Sequence, residues 1–497
     1  MQTLLHFDDL QIAVQAQMVQ SIPGGYHLQG QQISLLHPFG KTNFYRHGFH
    51  SWSLSAWLPL GKRLPTPVQR EIWPQIDHPH LLRDYPFTSS GLAALQGPDG
   101  NVLLLGALEL DASVKADSQI LRGEYTAPVA AGARCSWYLG YAPEEAVFTE
   151  YTRLLAERYG ERGQGKPPRV WCSWYSFFTD IHEDRLLHVL DGLAGLPFDV
   201  FQLDDGWQIG MGDWEANPKF PSGMAALADK IRQHGLTPGL WLAPLIVQPK
   251  SSLYHQHPDW LLRDAQGQPV RAGHNWGDDF FGLDTTHPAV QEWMAALIGK
   301  VRNWGFEYLK LDFLYAAALP GVRYQNVPGE QAYRQGLQVI RQVAGEAYFL
   351  ACGAPVIATL GLADGLRVGP DVAPFWDNVE RSQQLYDLTG PSTLNGIRTS
   401  LQRLWLRPVL QVDPDVAFMR SRFNLLSPAQ KQLLQDLVQI TGFRAISDPP
   451  DWLDQQELDQ LRAFLAESPQ VEKLGRYLFR IDDRQVDFSF LEDSWPA

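Results

Sequence analysis

The chain has 497 residues, of which 45% are hydrophobic and 19% are charged, a composition that excludes disorder over most of its length. Its 41 basic and 55 acidic residues give a formal net charge of -14, which opposes binding to nucleic acids and to anionic membranes. The three cysteines, Cys135, Cys172 and Cys352, are far apart in sequence, so neither a disulfide scaffold nor a structural zinc site is supported.

The N-terminal segment MQTLLHFDDLQIAVQ lacks the basic leader and the continuous apolar segment of a signal peptide. The longest uncharged stretch, 233–249, is interrupted by Pro238 and Pro244, and it falls short of the roughly 18 apolar residues that a membrane helix needs. With the low cysteine content, these features predict a cytoplasmic protein that has no membrane segment.

Both ends of the chain have β patterns. Residues 1–160 alternate short polar and apolar runs between turn residues, which predicts an antiparallel, sandwich-like β domain. A helix over 144–159 and the loop GERGQGKPP at 160–168 mark its end. At the other end, a helix over 455–466 is followed by alternating runs, which predict a small β-rich appendage over 451–497.

The middle of the chain, 168–450, alternates short apolar strands with amphipathic helices, which is typical of parallel βα units. Helices are predicted around 186–193 and 290–301 from their three-and-four spacing. The predicted strands are 170–174, 200–204, 238–243, 281–284, 308–312, 349–352, 365–368 and 409–412. Eight such units over about 280 residues predict an α/β fold with a (β/α)8 TIM barrel, and a doubly wound sheet is the alternative.

Acidic residues accumulate where these strands end, and in such barrels the loops after the strands converge on the catalytic face. The acidic residues at these strand ends are Asp204, Asp205, Asp284, Asp312, Asp371, Asp413 and Asp415. Each of them alone could serve a turn or a helix cap. Their convergence on one face predicts an active site.

Lys310 and Asp312 are two residues apart on a predicted strand, so both side chains point to the same side of it. One interpretation is a buried ion pair that only fixes the core. The other is a carboxylate nucleophile that a cationic neighbour keeps ionised.

Longer motifs resemble those of glycoside hydrolase family 36, the α-galactosidases. In chain order, over most of 170–377, they are WCSWYSFFTDI, VFQLDDGWQ, GDWEANPKFP, GLTPGLWLAP, HPDWLLRD, YLKLDFLYAAALPG, LACGAP and LRVGPDVAPFWD. The run HGFHSWS, which ends at Ser53, is similar to the element of the family's β domain that reaches the active site, although the family often has GWQSW where this chain has GFHSW.

The resemblance implies a role for each matching residue. Asp312 would be the nucleophile and Asp371 the general acid/base. The implied substrate-binding residues are Asp204 and Asp205 at the 4- and 6-hydroxyls of galactose, Lys310 at another ring hydroxyl, Arg367 and Cys352 near the 2-hydroxyl, Trp241 as a wall and Trp52 as a closing residue from the N-terminal domain. We expect no metal and no cofactor, a small oligosaccharide as the partner, no nucleic acid or membrane partner, and a monomer.

The chemistry of these residues is compatible with the implied roles. Hydrolysis with retention needs one ionised carboxylate and one protonated carboxylic acid about 5 to 5.5 Å apart. Asp312, next to a lysine, suits the ionised role, and Asp371, with little positive charge nearby beyond Arg367, suits the acid. Asp204 and Asp205 can accept several hydrogen bonds, as a polyol requires.

The predicted function is therefore that of a retaining α-galactosidase acting on oligosaccharides of the melibiose and raffinose type. Alternatives with the same fold are a galactosyltransferase that resembles the raffinose and stachyose synthases, and an α-N-acetylgalactosaminidase, for which Cys352 is the relevant residue. Two alternatives come from other classes: a Schiff-base aldolase that uses Lys310, and a non-catalytic sugar-binding protein.

Overall fold

The structure is a computed structural model, which describes residues 2–7, 10–64, 72–126, 135–378 and 387–495. Within these ranges the chain forms a two-sheet β domain, then a parallel barrel, then a small antiparallel sheet. No helix in the same ranges combines the length and the apolar character that a bilayer crossing requires.

The N-terminal domain is a sandwich of two antiparallel sheets around its own hydrophobic core. Its alternating pattern is clear in the strand Gln32–Leu36, where Ile33 and Leu35 are buried and the two end residues are exposed. In spatial order, the described strands of the first sheet are Gln2–Phe7, Leu10–Gln15, Gln32–Leu36, Ile120–Tyr125, Ala112–Ala116 and Thr88–Ser90. Those of the second are Met18–Ile22, Gly25–Gln29, Ser136–Ala142, Val102–Ala107, Leu92–Gln96, Asn43–Arg46 and Ala56–Pro59. The predicted sandwich-like domain is confirmed.

The middle of the chain forms a parallel barrel, which confirms the predicted fold class. Its described strands are Arg169–Cys172, Val200–Leu203, Thr237–Leu242, Tyr308–Leu311, Tyr348–Ala351, Gly365–Arg367, Gln411–Asp413 with its continuation Val416–Ala417, and Arg444–Ile446. Each strand pairs in parallel with its neighbours, and the last pairs with both Val416–Ala417 and Arg169–Cys172. The ring is closed because Gln411–Asp413 and Val416–Ala417 belong to one run of chain.

Helices cover the outside of this ring and lie in its loops. They are Glu183–Gly192, Met224–Gln233, Ser252–Gln256, Pro288–Asn303, Gly329–Ala344, Val356–Thr359, Thr393–Leu401 and Pro428–Thr441. In Pro288–Asn303 the residues Val290, Met294, Ile298 and Val301 are fully buried, as their spacing predicts. Outside the barrel, the helices are Trp73–Ile76, Pro79–Leu82, Glu144–Tyr159 and Gln455–Ala466, and Trp174–Phe177 follows the first barrel strand.

The fourth predicted barrel strand, 281–284, is wrong. The chain there forms the strand Asp278–Gly282, which pairs antiparallel with Arg271–Asn275 and with Ile246–Val247 in a small sheet above the barrel. The turn that begins this strand, Asn275-Trp276-Gly277-Asp278, makes it half of a hairpin, which cannot also be a parallel strand with a crossover helix.

A strand that the sequence analysis missed completes the barrel in its place. Arg444–Ile446 has only three residues and begins with a charged one, so it shows too short an apolar run to be recognised. Gly442, with a φ of +79°, ends the preceding helix and directs the chain into this strand.

The C-terminal sheet consists of Val471–Lys473, Leu478–Ile481 and Arg484–Asp487. Its arginines bind the other two units. The guanidinium of Arg476 lies 2.7 Å from Glu144 and 3.9 Å above the ring of Trp57, both in the N-terminal unit. Arg484 donates to Asp436 of the last barrel helix at 2.8 Å. This sheet therefore links the N-terminal domain to the barrel.

Arg403, a fully buried barrel residue, fixes the 48–53 loop of the N-terminal domain. Its guanidinium donates to the carbonyl oxygens of Ser51 at 2.6 Å, Gly48 at 3.1 Å, His50 at 2.9 Å and Ser53 at 3.2 Å. It also donates to a carbonyl of the barrel, which lies 2.8 Å away. Burial lowers the pKa of Arg403 to about 10, so it stays charged at neutral pH. The charged guanidinium of Arg403 thus holds the 48–53 loop of the N-terminal domain against the barrel.

We expect Arg403→Lys to lower the free energy of unfolding by about 3 kcal/mol, because an ammonium has three donors and leaves buried carbonyls without partners. Urea unfolding measures the change. The matched control is Arg407→Lys, an exposed residue of the same segment, which should have little effect. Equal stability of the two variants would contradict the role of Arg403.

Candidate active site

A cavity of about 310 Å³ lies at the carboxyl ends of the barrel strands. Seven of the nine predicted site residues line it, namely Trp52, Asp204, Asp205, Trp241, Lys310, Asp312 and Asp371. The rest of the lining is Ile72, Gln75, Ile76, Trp174, His274, Asn275, Trp276, Phe313, Asp387, Thr389, Gly390 and Pro391. Carboxylates and aromatic rings thus surround one space of the size of a small sugar.

Asp204 and Lys310 form a buried ion pair on one wall of the cavity. The Nζ of Lys310 lies 2.7 Å from Oδ2 of Asp204, which also accepts from the amide of Gln202 at 2.9 Å. Burial disfavours the charge on Asp204, but Lys310 outweighs it and lowers the pKa of this carboxyl. In return, Asp204 overcomes the burial of Lys310 and raises the pKa of the ammonium well above its usual value. Both groups are charged at neutral pH.

Asp312 does not share this ion pair. Among the described residues, no ion pair within 4 Å joins it to Lys310. Its Oδ2 accepts from the indole N–H of Trp241 at 3.0 Å, and its Oδ1 accepts from the backbone N–H of Phe313 at 2.8 Å. Burial raises the pKa of Asp312, and Lys310 and the two donors only partly oppose this effect. The lysine therefore acts on Asp312 through its field and not through contact.

Asp205 is held by one donor on each oxygen. The side-chain amide of Gln208 donates to Oδ1 at 2.6 Å, and the indole N–H of Trp276 donates to Oδ2 at 2.6 Å. Burial raises the pKa of Asp205 to about 6 in spite of these hydrogen bonds.

Asp371 lies on the opposite wall and belongs to a cluster of acids around one guanidinium. Arg367 donates to Asp371 at 3.2 Å and to Asp413 at 3.1 Å, and it lies 2.9 Å from Asp415. Burial raises the pKa of Asp415 to about 7 in spite of Arg367. The side chain of Asp371 is 33% exposed, whereas those of Asp413 and Asp415 are buried. Asp371 is the member of this cluster that faces the cavity.

Two predicted site residues lie behind the cavity wall instead of lining it. Arg367 reaches the site through Asp371, as described above. Cys352 follows the strand Tyr348–Ala351 and is 1% exposed, and burial raises the pKa of its thiol well above the usual value. Their placement near a sugar 2-hydroxyl stays a prediction.

Trp52 comes from the N-terminal domain and lines the cavity beside Asp312. Its ring contacts Phe313 edge-on with centroids 5.0 Å apart, and a Cβ added to Gly353 would come within 3.0 Å of the indole. The backbone N–H of Ser51 donates to the carbonyl of Ala354 at 3.1 Å. Trp52 therefore takes part both in the cavity and in the domain interface.

Other acidic residues at predicted strand ends have structural partners. Asp284 accepts from the backbone N–H and the hydroxyl of Thr286 and from the N–H of Tyr324, so it stabilises a turn away from the cavity. Asp413 and Asp415 hold Arg367. No group of three or more His, Cys, Asp or Glu side chains in the described ranges is placed to hold a metal ion.

Trp174 and Trp276 also line the cavity, and neither was predicted from the sequence. Trp174 lies within the WCSWYSFFTDI motif, directly after the first barrel strand, a position that could have indicated it. Trp276 lies in the hairpin that was assigned to the barrel, so its position could not be seen without the correct turn.

The chain is similar to known proteins over nearly its whole length. The family model described as melibiase matches residues 146–344. The α-galactosidase TtGalA of Thermus thermophilus, solved in complex with p-nitrophenyl α-D-galactopyranoside, is 49% identical, with a TM-score of 0.93 over 99% of this chain and 100% of that one. The chain belongs to the GH36 α-galactosidase family.

A second structure of TtGalA and a curated relative are also similar to this chain, the first over most of its length and the second over about a third of it. TtGalA in complex with stachyose is 50% identical, with a TM-score of 0.89 over 94% of this chain and 100% of that one. Alpha-galactosidase 2 of Pediococcus pentosaceus is 32% identical over 182 residues, which are 35% of this chain and only 24% of that relative's length. The curated relative is thus matched over about a quarter of its sequence.

Proposed function

We propose that this GH36 member is a retaining α-galactosidase that releases terminal α-linked galactose from oligosaccharides of the melibiose and raffinose type. The observation that carries the proposal is the pairing of a buried carboxylate, Asp312, with a partly exposed one, Asp371, across a single cavity. The relative TtGalA has been solved with an aryl α-galactoside and with stachyose, which supports the substrate class.

In the first step, an oxygen of Asp312 attacks the anomeric carbon, and the bond from that carbon to the glycosidic oxygen breaks. Asp371 gives its proton to the departing oxygen, so the leaving group is a neutral alcohol and Asp371 becomes a carboxylate. The hydrogen bonds from Trp241 and Phe313 aim the lone pairs of Asp312. The product is a galactosyl ester of Asp312.

In the second step, water attacks the anomeric carbon of the ester from the side that the leaving group vacated. Asp371, now a carboxylate, takes a proton from this water, and Asp312 leaves as a carboxylate. Two inversions give a product of the original α configuration, and both carboxyls return to their starting states.

The proposed acid, Asp371, shares the guanidinium of Arg367 with two other carboxylates, Asp413 and Asp415. Burial, together with the charges of Asp371 and Asp413, raises the pKa of Asp415 to about 7 in spite of Arg367. Asp371 is the member of this cluster that borders the cavity, so it is the one that can reach a departing oxygen.

Asp204 and Asp205 supply the acceptors for the sugar hydroxyls. Both carboxylates border the cavity, and the Lys310 ammonium beside Asp204 adds a donor. A site that binds hydroxyls through buried carboxylates rejects an epimer strongly, because the misplaced hydroxyl leaves a charged acceptor without a partner.

Initial rates on the p-nitrophenyl α-galactoside, α-glucoside and α-N-acetylgalactosaminide test the proposal. We expect the galactoside to be cleaved at least ~100-fold faster than the other two. Proton NMR of the first product should show the α anomer. A preference for the acetamido sugar supports the galactosaminidase alternative, and predominant transfer to added sucrose or raffinose supports the transferase. Hydrolysis of none of the three would overturn the proposal.

We expect kcat/KM for the galactoside to fall below about pH 6, because the pKa of Asp205 is raised to about 6 and its protonation removes the negative charge and an acceptor position for the sugar hydroxyls. The raised pKa of Asp312 acts in the same direction, since the nucleophile is lost as pH falls. The pH profile of kcat/KM measures this limb. A profile that stays level down to about pH 4.5 would contradict the raised pKa values.

We expect Trp52→Ala to raise KM for galactosides, with a lower kcat if the indole also excludes water from the cavity. The matched control is Trp405→Ala, because Trp405 also lies between the N-terminal domain and the barrel but outside this cavity. Urea unfolding of both variants measures the loss of packing, so that a change in KM can be assigned to substrate binding. An unaltered KM in the Trp52 variant would remove it from the site.

A further inference from the structure

Trp276 lies at the tip of the hairpin formed by Arg271–Asn275 and Asp278–Gly282. Its backbone conformation is one that tryptophan rarely adopts. Its φ is +54° and that of Gly277 is +75°, so both central residues of the two-residue turn are left-handed. Asn or Gly is favoured in such a turn, and a bulky side chain there is strained by about 1 to 3 kcal/mol. Backbone strain of this kind concentrates at functional sites.

The strained backbone places the indole of Trp276 against a site carboxylate. Its N–H donates to Oδ2 of Asp205 at 2.6 Å, and its ring lies 5.3 Å from that of Phe313 and 6.5 Å from that of Trp241. The indole therefore contacts Asp205, Phe313 and Trp241. Phe313 directly follows Asp312, and Trp241 donates a hydrogen bond to Asp312. A shift of the indole would therefore change the contacts of Asp205 and of two aromatic residues that line the cavity.

The contacts of Asp205 determine how many acceptor positions remain for a ligand. An ionised carboxylate has about four lone-pair positions, two on each oxygen. Gln208 occupies one on Oδ1 and Trp276 occupies one on Oδ2. One position on each oxygen is left, so the carboxylate can accept two separate hydroxyls in one fixed plane.

The hairpin itself is held by a residue of the N-terminal domain and by a residue of the barrel. The backbone N–H of His274 donates to Oε1 of Gln75 at 3.3 Å, and a Cβ added to Gly273 would come within 2.6 Å of the Gln75 side chain. From the barrel, Gln248 donates to the carbonyl of Asn275 at 3.1 Å. The tip is thus fixed from two sides, which compensates the strained turn.

We propose that Trp276 is a positioning residue for sugar specificity: it orients Asp205 so that its two free lone pairs accept the 4-hydroxyl and the 6-hydroxyl of galactose together. This inference rests on the proposed function. It predicts that Trp276 governs the discrimination between galactose and a pyranose that lacks the C6 hydroxymethyl group.

The test compares p-nitrophenyl α-D-galactopyranoside with p-nitrophenyl β-L-arabinopyranoside, which has the same ring configuration without C6. Trp276→Phe keeps a ring but removes the N–H donor. We expect its kcat/KM for the galactoside to fall about 10- to 100-fold, mainly through KM, and the value for the arabinoside to fall less, so that the ratio of the two shrinks. The acidic limb of the galactoside profile should also move to higher pH, because a donor to the Asp205 carboxylate is lost.

Trp276→Asn separates this role from a structural one. Asparagine suits the left-handed turn, so the relief of backbone strain offsets part of the cost of the lost indole contacts, and this variant should stay folded in urea unfolding and yet lose the same discrimination. Suppose that the wild type cleaves the galactoside and that both variants keep its galactoside-to-arabinoside ratio and its acidic limb. That result would overturn the inference about Trp276 and leave the proposed function standing. A wild type without activity on the galactoside would overturn the proposed function and the inference with it.

Discussion

Asp312→Gly is expected to lose at least ~10³-fold of the activity on galactosides while keeping its fold, because the covalent route requires this carboxylate. The substitution opens a space beside the anomeric carbon that a small anion can enter. Sodium azide should then restore turnover of p-nitrophenyl α-galactoside, and the product should be the β-galactosyl azide, formed by a single inversion.

Circular dichroism and urea unfolding establish that the variant is folded. The wild type with azide is the first control, and it should form no β-azide. Near wild-type rates in Asp312→Gly would show that the nucleophile is another residue. Trapping of substrate on Lys310 by borohydride would support the Schiff-base alternative instead.

Asp371→Ala is expected to have the second largest effect, and its size should depend on the leaving group. A substrate with a poor leaving group, such as melibiose, needs the proton and should lose about 10²- to 10⁴-fold in kcat/KM. An aryl galactoside with an acidic phenol leaves without help and should lose much less in the same step.

The configuration of the azide product distinguishes Asp371→Ala from Asp312→Gly. Here Asp312 still forms the ester, and azide entering from the face of the missing acid should give the α-galactosyl azide, which is the opposite configuration. Equal losses in kcat/KM for both leaving groups, or a β-azide product, would contradict the role of Asp371 as acid/base.

The barrel was predictable because its strands are short, buried apolar runs between amphipathic helices. Leu309 and Leu311 are fully buried, and Asp312 follows them directly, so the strand and its terminal carboxylate are both readable in the motif YLKLD. The hairpin at 271–282 was misassigned because Phe280 and Phe281 resemble a buried strand. Only the turn at Trp276 and Gly277 distinguishes a hairpin from a βα unit here.

What could not be predicted depends on contacts between distant segments. The partner of Lys310 is Asp204, which is 106 residues away, although Asp312 is nearer in sequence. The five carbonyls around Arg403 include four that are about 350 residues away. Neither partnership follows from periodicity or propensity, because both arise only when the barrel closes and the N-terminal domain packs against it.

The ester between galactose and Asp312 is the central claim, and trapping it tests the claim most directly. A 2-deoxy-2,2-difluoro-α-galactoside with a picrate leaving group should form the ester and hydrolyse it slowly, because fluorine destabilises the second transition state. Mass spectrometry of a digest should then show one difluorogalactosyl group on the peptide that contains Asp312, and none in Asp312→Gly. A label on any other residue would contradict the account.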